Sequence, residues 1–66
     1  MPKHDKDDVY WLQVLVNGNW HDDMQLTAGK LGAAQRTRRA AKETKNPHRV
    51  VNRTRGNTVY VQADPQ

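Results

Sequence analysis

Cysteine is absent from the chain, so no disulfide and no thiolate zinc site can staple it. At 66 residues it forms one domain at most, and a domain that small buries only about 60% of its unfolded surface. Long apolar runs are also missing. Nothing approaches the roughly 20 residues of a membrane span, so no membrane association is expected. The opening residues, MPKHDKDDV, lack the apolar stretch of a signal peptide. Together these absences give a cytoplasmic protein as the expectation. Serine is absent too, as are a glycine-rich phosphate loop and any nucleophile–base constellation. Adjacent carboxylates occur only as Asp7-Asp8 and Asp22-Asp23. The spacing of His4, His21 and His48 around them matches no metal-ligand pattern. The sequence therefore predicts no enzyme, no cofactor and no metal.

The last shortage is of acid where base is dense. Residues 30–55 hold nine Lys or Arg against Glu43 alone, whereas residues 1–29 hold five Asp against two Lys. Charge segregated in this way bears on partners rather than on fold.

What is present reads as strands around one helix. Residues 1–8 are polar and predict a flexible arm; residues 63–66 predict a flexible tail. VYWLQVLV, residues 9–16, is the strongest strand signal, and Asn17-Gly18 predicts a tight hairpin into a short second strand near Trp20 and His21. DDMQLT predicts a connector whose Asp22, Asp23 or Thr27 caps a helix lying within residues 24–45. Asn46-Pro47 ends that helix. HRVVNRT and TVYVQ predict two more strands about the turn RGN. The fold class is α+β: a small antiparallel sheet in ββαββ order, residues 9–62, packed on one side by a single helix.

On a helical wheel Ala33, Ala34, Thr37, Ala40, Ala41 and Thr44 share one arc, with Arg36, Arg38, Arg39, Lys42 and Lys45 off it. The small arc predicts close approach to the sheet. Leu26 and Trp20 are expected to fill out the core, because alanine buries little area. Leu31 falls among the basic residues as a misfit, and Gly29 and Gly32 weaken the first turns.

Strand alternation sends Tyr10, Leu12, Val14 and Val16 toward the helix, with Val50, Val59 and Val61. The opposite, uncovered face then carries Trp11, Gln13, Leu15, Arg49, Val51, Arg53 and Tyr60. Rings that stack on bases and guanidinium groups that meet phosphates make Trp11, Tyr60, Arg49 and Arg53 one candidate nucleic-acid surface. Arg36, Arg38, Arg39 and Lys42 on the helix make another. A competing reading takes Trp11 and Tyr60 as a cross-strand pair with arginine stems packed over them. The partner expectations are a nucleic acid, an acidic host protein blocked by the basic surface, or a second copy docked on the open sheet face.

The layout YWLQVLVNGNW, LTAGKLGAAQRTRRAAK, HRVVNRTRGNTVYV resembles small phage and prophage proteins with an aromatic-led hairpin, one alanine-spaced helix and closing strands. Its architecture is also similar to the small RNA polymerase inhibitor of phage T7. That resemblance implies a phage accessory protein that binds a partner. The helix is basic here and acidic in the inhibitor, so no binding residue transfers.

Overall fold

The computed structural model describes residues 4–65. Its central strand is β1, Tyr10–Val16, where β-branched and aromatic residues favour the pleated chain. Asn17 and Gly18 both take positive φ, 52° and 80°, and return the chain in two residues to β2, Asn19–Leu26. Helix α1, Ala33–Thr44, leads to β3, His48–Asn52; a 3-10 turn, Arg53–Arg55, leads to β4, Thr58–Ala63. All neighbours are antiparallel in the order β2-β1-β3-β4. The expected α+β class and ββαββ order are both present.

The helix lies over β3 and β4. Ala33, Thr37 and Ala41, four residues apart on one face, are buried against the sheet. The buried Thr37 hydroxyl is satisfied by donating to the Ala33 carbonyl at 2.6 Å. Tyr10, Leu12, Leu26, Ala33 and Val50 form the core, with Ala40, Tyr60 and Val61 packed against it.

Three expectations are corrected. The second strand is eight residues long, not a stub at Trp20, because its backbone pairs with β1 from Val16↔Asn19 to Tyr10↔Leu26. The DDMQ stretch is consumed by that pairing. Asp22 and Asp23 therefore cap nothing, and the helix starts at Ala33 with Gly32 as an uncapped N-terminus. Leu31 and both nearby glycines lie before the helix, in a chain of turns, which removes the misfit.

Tyr60 is the second correction. The β3–β4 register slips between Val50 and Val51, so Val61 pairs with Val50 and Val59 with Val51, leaving Tyr60 as the extra residue. Tyr60 thereby joins the helix side, its ring 5.6 Å from that of Tyr10, and the exposed Val59 takes the open side. Thr44 also lies outside the buried stripe, exposed at the helix end.

The polar N-terminal stretch is the third. Over its described residues 4–8 it is tied to the body rather than held free. The Tyr10 hydroxyl donates to the Asp5 carbonyl at 2.6 Å, and the His4 ring lies edge-on to Tyr60 at 5.0 Å. Asn52, fully buried, donates to the Asp8 carboxylate at 2.9 Å and accepts from the Arg55 backbone at 3.2 Å. The crossing explains Gly29. Its φ is +62°, and a Cβ there would stand 2.5 Å from the Lys6 carbonyl oxygen.

Candidate nucleic-acid interface

Two surfaces carry the basic residues, and they are built differently. On the sheet face away from the helix, β1 presents Trp11, Gln13 and Leu15, and β3 presents Arg49 and Val51. Pairing of Leu15 with Trp20, and of Gln13 with Asp22, adds those two residues from β2. Trp20 is therefore on the open face, not beside the helix start as the sequence suggested. The two-residue turn sets this by pairing Trp20 with Leu15, and a later slip in the β1–β2 register between Leu12 and Gln13, with Asp23 as the extra residue, is what lets Leu26 still face the core.

The side chains on this face engage one another. The Arg49 guanidinium lies 4.3 Å over the Trp20 ring, and that of Arg53 lies 5.1 Å over Trp11. Arg49 also donates through Nε to the Gln13 side-chain oxygen at 2.8 Å. The Gln13 amide nitrogen donates to Asp22 at 2.9 Å, and Arg53 reaches the same carboxylate oxygen at 2.7 Å. The Asp22 pKa is lowered by the Gln13 hydrogen bond first and by Arg53 second. Val51 is fully buried beneath this layer. The face expected to be uncovered is thus covered by its own arginines, as the competing sequence reading had it for the arginine stems. Each cation has a ring and an oxygen partner, and attraction to the π-face is worth about 0.5–2 kcal/mol.

Other cations outside the helix are also engaged. Arg55 donates to Asp8 at 2.7 Å, and Lys30 to the His4 carbonyl at 2.8 Å. The hydrogen bond from Asn52, followed by that from Arg55, holds the Asp8 carboxyl at a pKa of about 2.

The helix is the contrast. Arg36, Arg38, Arg39, Lys42 and Lys45 are all exposed. Among the described residues none of them lies within ion-pair distance of a carboxylate. Arg36 makes one weak contact, to the Met24 sulfur at 3.8 Å. Arg36, Arg39 and Lys42 follow one another every third residue, a rise of about 4.5 Å per step along the axis, and Lys45 is the left-handed C-cap that ends the helix. Neighbours at that spacing with like charge repel one another. A depression of about 320 Å³ at the helix start is lined by Leu31, Gly32, Gln35, Arg36 and Arg39.

The eight residues singled out from the sequence therefore separate into three places. Arg36, Arg38, Arg39 and Lys42 share the outer helix face. Trp11, Arg49 and Arg53 share the sheet face and are bound up within it. Tyr60 belongs to neither; it packs with Tyr10 and His4 on the core side. Sequence reading missed Gln13, Asp22 and Asn52 as the polar links. The signal was available for Gln13 and Asn52, since each interrupts an apolar strand and is buried, where an amide must find partners.

Among the described residues no group of three His, Cys, Asp or Glu is placed to hold a metal, and no helix is long and apolar enough to cross a membrane. His48, buried in β3, instead uses Nδ1 on the Asn46 carbonyl at 2.9 Å and turns Nε2 toward Asp23 at 3.9 Å. No known protein family, characterised protein or solved structure matches this chain.

Proposed function

We propose that this protein is a small non-enzymatic module that binds nucleic acid, contacting phosphates through Arg36, Arg38, Arg39 and Lys42, with Lys45 extending the row. One observation carries the reading. Outside the helix, Lys30, Arg49, Arg53 and Arg55 each have an internal oxygen partner, the exposed Lys6 being the exception, while the four cations on α1 and Lys45 at its C-cap have no carboxylate partner among the described residues. Unpaired like charges on a short helix oppose the compact state, and a polyanion relieves that repulsion on binding. Repeated cations along a helix suit a lattice of phosphates, where each contact releases counterions. The sheet-face arginines are poorer candidates, because a phosphate must first displace Asp22 or a stacked ring.

The test is a titration of duplex DNA, single-stranded DNA and RNA at several salt concentrations. The wild type is compared with an Arg38→Ala, Arg39→Ala, Lys42→Ala triple variant. The expected result is affinity falling steeply with salt, with a slope reduced by about 0.9 per lost contact on duplex DNA in the folded variant. No binding at low salt would remove the proposal. Saturable one-to-one binding to an acidic protein in its place would point to the blocking reading.

A further inference from the structure

Leu31 is 81% exposed, while the next most exposed large apolar side chains, Met24 and Val59, reach 42%. Burial in the core cannot be its role. Nor is it on a loose loop. Successive turns tie the backbone around it: Gly29 donates to Leu26, Leu31 to Ala28, and Ala33 to Lys30, at 3.1–3.3 Å. Lys30 anchors one side on the His4 carbonyl, and Gly29 lies against the Lys6 carbonyl. Leu31 is thus an apolar knob on a fixed stem, and it forms a wall of three separate surface depressions. Arg36 and Arg39 line the one of about 320 Å³ on the helix side, and Lys6, Asp7, Ala28 and Lys30 line the larger one of about 430 Å³ on the other.

An apolar knob with only the half-exposed Met24 beside it suits few partners. A protein interface of ordinary size needs about 800 Å² per side with an apolar centre of several residues. Around Leu31 the helix-side neighbours are instead Gly32, Gln35 and two unpaired arginines. A single apolar wedge flanked by cations is the arrangement that opens a base step in duplex DNA, with the flanking charges on the adjoining phosphates.

Resting on the nucleic-acid reading above, we infer that Leu31 is such a wedge. It enters between base pairs of duplex DNA while Arg36 and Arg39, both on its helix side, hold phosphates of the adjoining backbone, and the duplex kinks at that step. Burying the side chain accounts for roughly a tenfold gain in affinity or more. Single-stranded DNA offers no stacked step to open and gains nothing from Leu31.

The experiment uses the full chain, a short duplex with dyes at both ends, and a second duplex carrying 2-aminopurine. Wild type, Leu31→Ala and Leu31→Met are compared, with circular dichroism confirming the fold that so exposed a residue should not disturb. The expected result is a shortened end-to-end distance and brighter 2-aminopurine with wild type and Leu31→Met. Leu31→Ala should lose both signals and about tenfold in duplex affinity, keep its salt slope, and match wild type on single strands. Wild-type binding to a straight, fully stacked duplex, with Leu31→Ala equally tight, would overturn the wedge and leave the phosphate reading intact. Failure of the wild type to bind any nucleic acid at low salt would overturn the phosphate reading and the wedge with it.

Discussion

Arg38 on the helix and Arg53 beyond β3 carry the same charge in the same small protein, and they have opposite surroundings. Arg53 lies over the Trp11 ring and holds Asp22 at 2.7 Å. Arg38 is exposed, with no carboxylate partner among the described residues. An arginine that covers an indole and holds a carboxylate on another strand contributes to the fold, since its stem excludes water and its charge is paired, even though the buried Arg53 Nε is left without a partner. One without partners contributes little to the fold and keeps its full charge for something outside it. Residue type and net charge do not separate these two uses. Strand pairing does, because β1 sets Trp11 and Gln13, and β2 beside it sets Asp22, where Arg49 and Arg53 can reach them.

The largest effect that would break this contrast is in binding. Removing Arg38, Arg39 and Lys42 together should lower the slope of log affinity against log salt on duplex DNA by about 2.7. The same variant should unfold in urea within about 0.5 kcal/mol per substitution of wild type. If stability falls by several kcal/mol instead, the helix cations belong to the fold and the distinction disappears.

Next in size is a variant of the internal network. Asn52 is fully buried, and its amide joins Asp8, the Arg55 backbone and the 3-10 turn. Asn52→Ala leaves a backbone N–H and a carboxylate short of partners and should cost about 2–3 kcal/mol in urea unfolding. Its salt slope on nucleic acid, measured where it remains folded, should equal that of wild type. Arg53→Ala should cost less, about 1–2 kcal/mol, through the lost ring contact and the lost hydrogen bond to Asp22. Iodide quenching of a Trp11-only protein should rise with it, since the guanidinium that covers the ring is gone. Unchanged quenching would mean that Arg53 does not shield Trp11.

These networks also mark how far the sequence could be read. Alternation placed Tyr10 and Leu12 inside and Trp11 outside, because β1 is a regular strand with a strong pattern. Alternation fails on Tyr60, since the extra residue there reverses the face beyond it, whereas Trp20, expected in the core only because alanine buries little area, pairs with Leu15 on the open face. Neither the bulge at Tyr60 nor the one at Asp23 has a local signature; each is fixed by the partner strand. The helix lies within the expected residues 24–45, but its expected caps do not cap it, for a related reason. Asp22, Asp23 and Thr27 are good capping residues, and tertiary pairing with β1 took the stretch for β2 before any helix formed. The cationic helix face was legible because helical period and charge act within one element. The occupied state of Arg49 and Arg53 was not, since it depends on contacts 31 and 36 residues apart in the chain.

Acid separates the two regions by the smallest and most selective effect. Hydrogen bonds from Asn52 and then Arg55 hold the Asp8 pKa at about 2, below its ordinary value of 3.8. A carboxyl whose pKa is lower folded than unfolded contributes its full stabilisation above the unfolded value. That contribution declines as pH falls below about 4 and is gone once pH has passed through about 2. Asp22 acts in the same direction, through Gln13 and then Arg53. The internal network should therefore weaken between about pH 4 and pH 2. Among the described residues the helix face has no carboxylate partner to protonate. In urea unfolding at pH 6, 4, 3 and 2, Asp8→Asn should be less stable than wild type at the top of the range. The gap should shrink to a small remainder at pH 2, where folded Asp8 is about half protonated. The Arg38, Arg39, Lys42 triple variant should instead run parallel to wild type at every pH. An Asp8→Asn difference that persists undiminished at pH 2 would show that Asp8 acts through shape rather than charge. A triple variant that converges with wild type in acid would show that the helix cations have internal carboxylate partners after all, and would remove the main support for an external one.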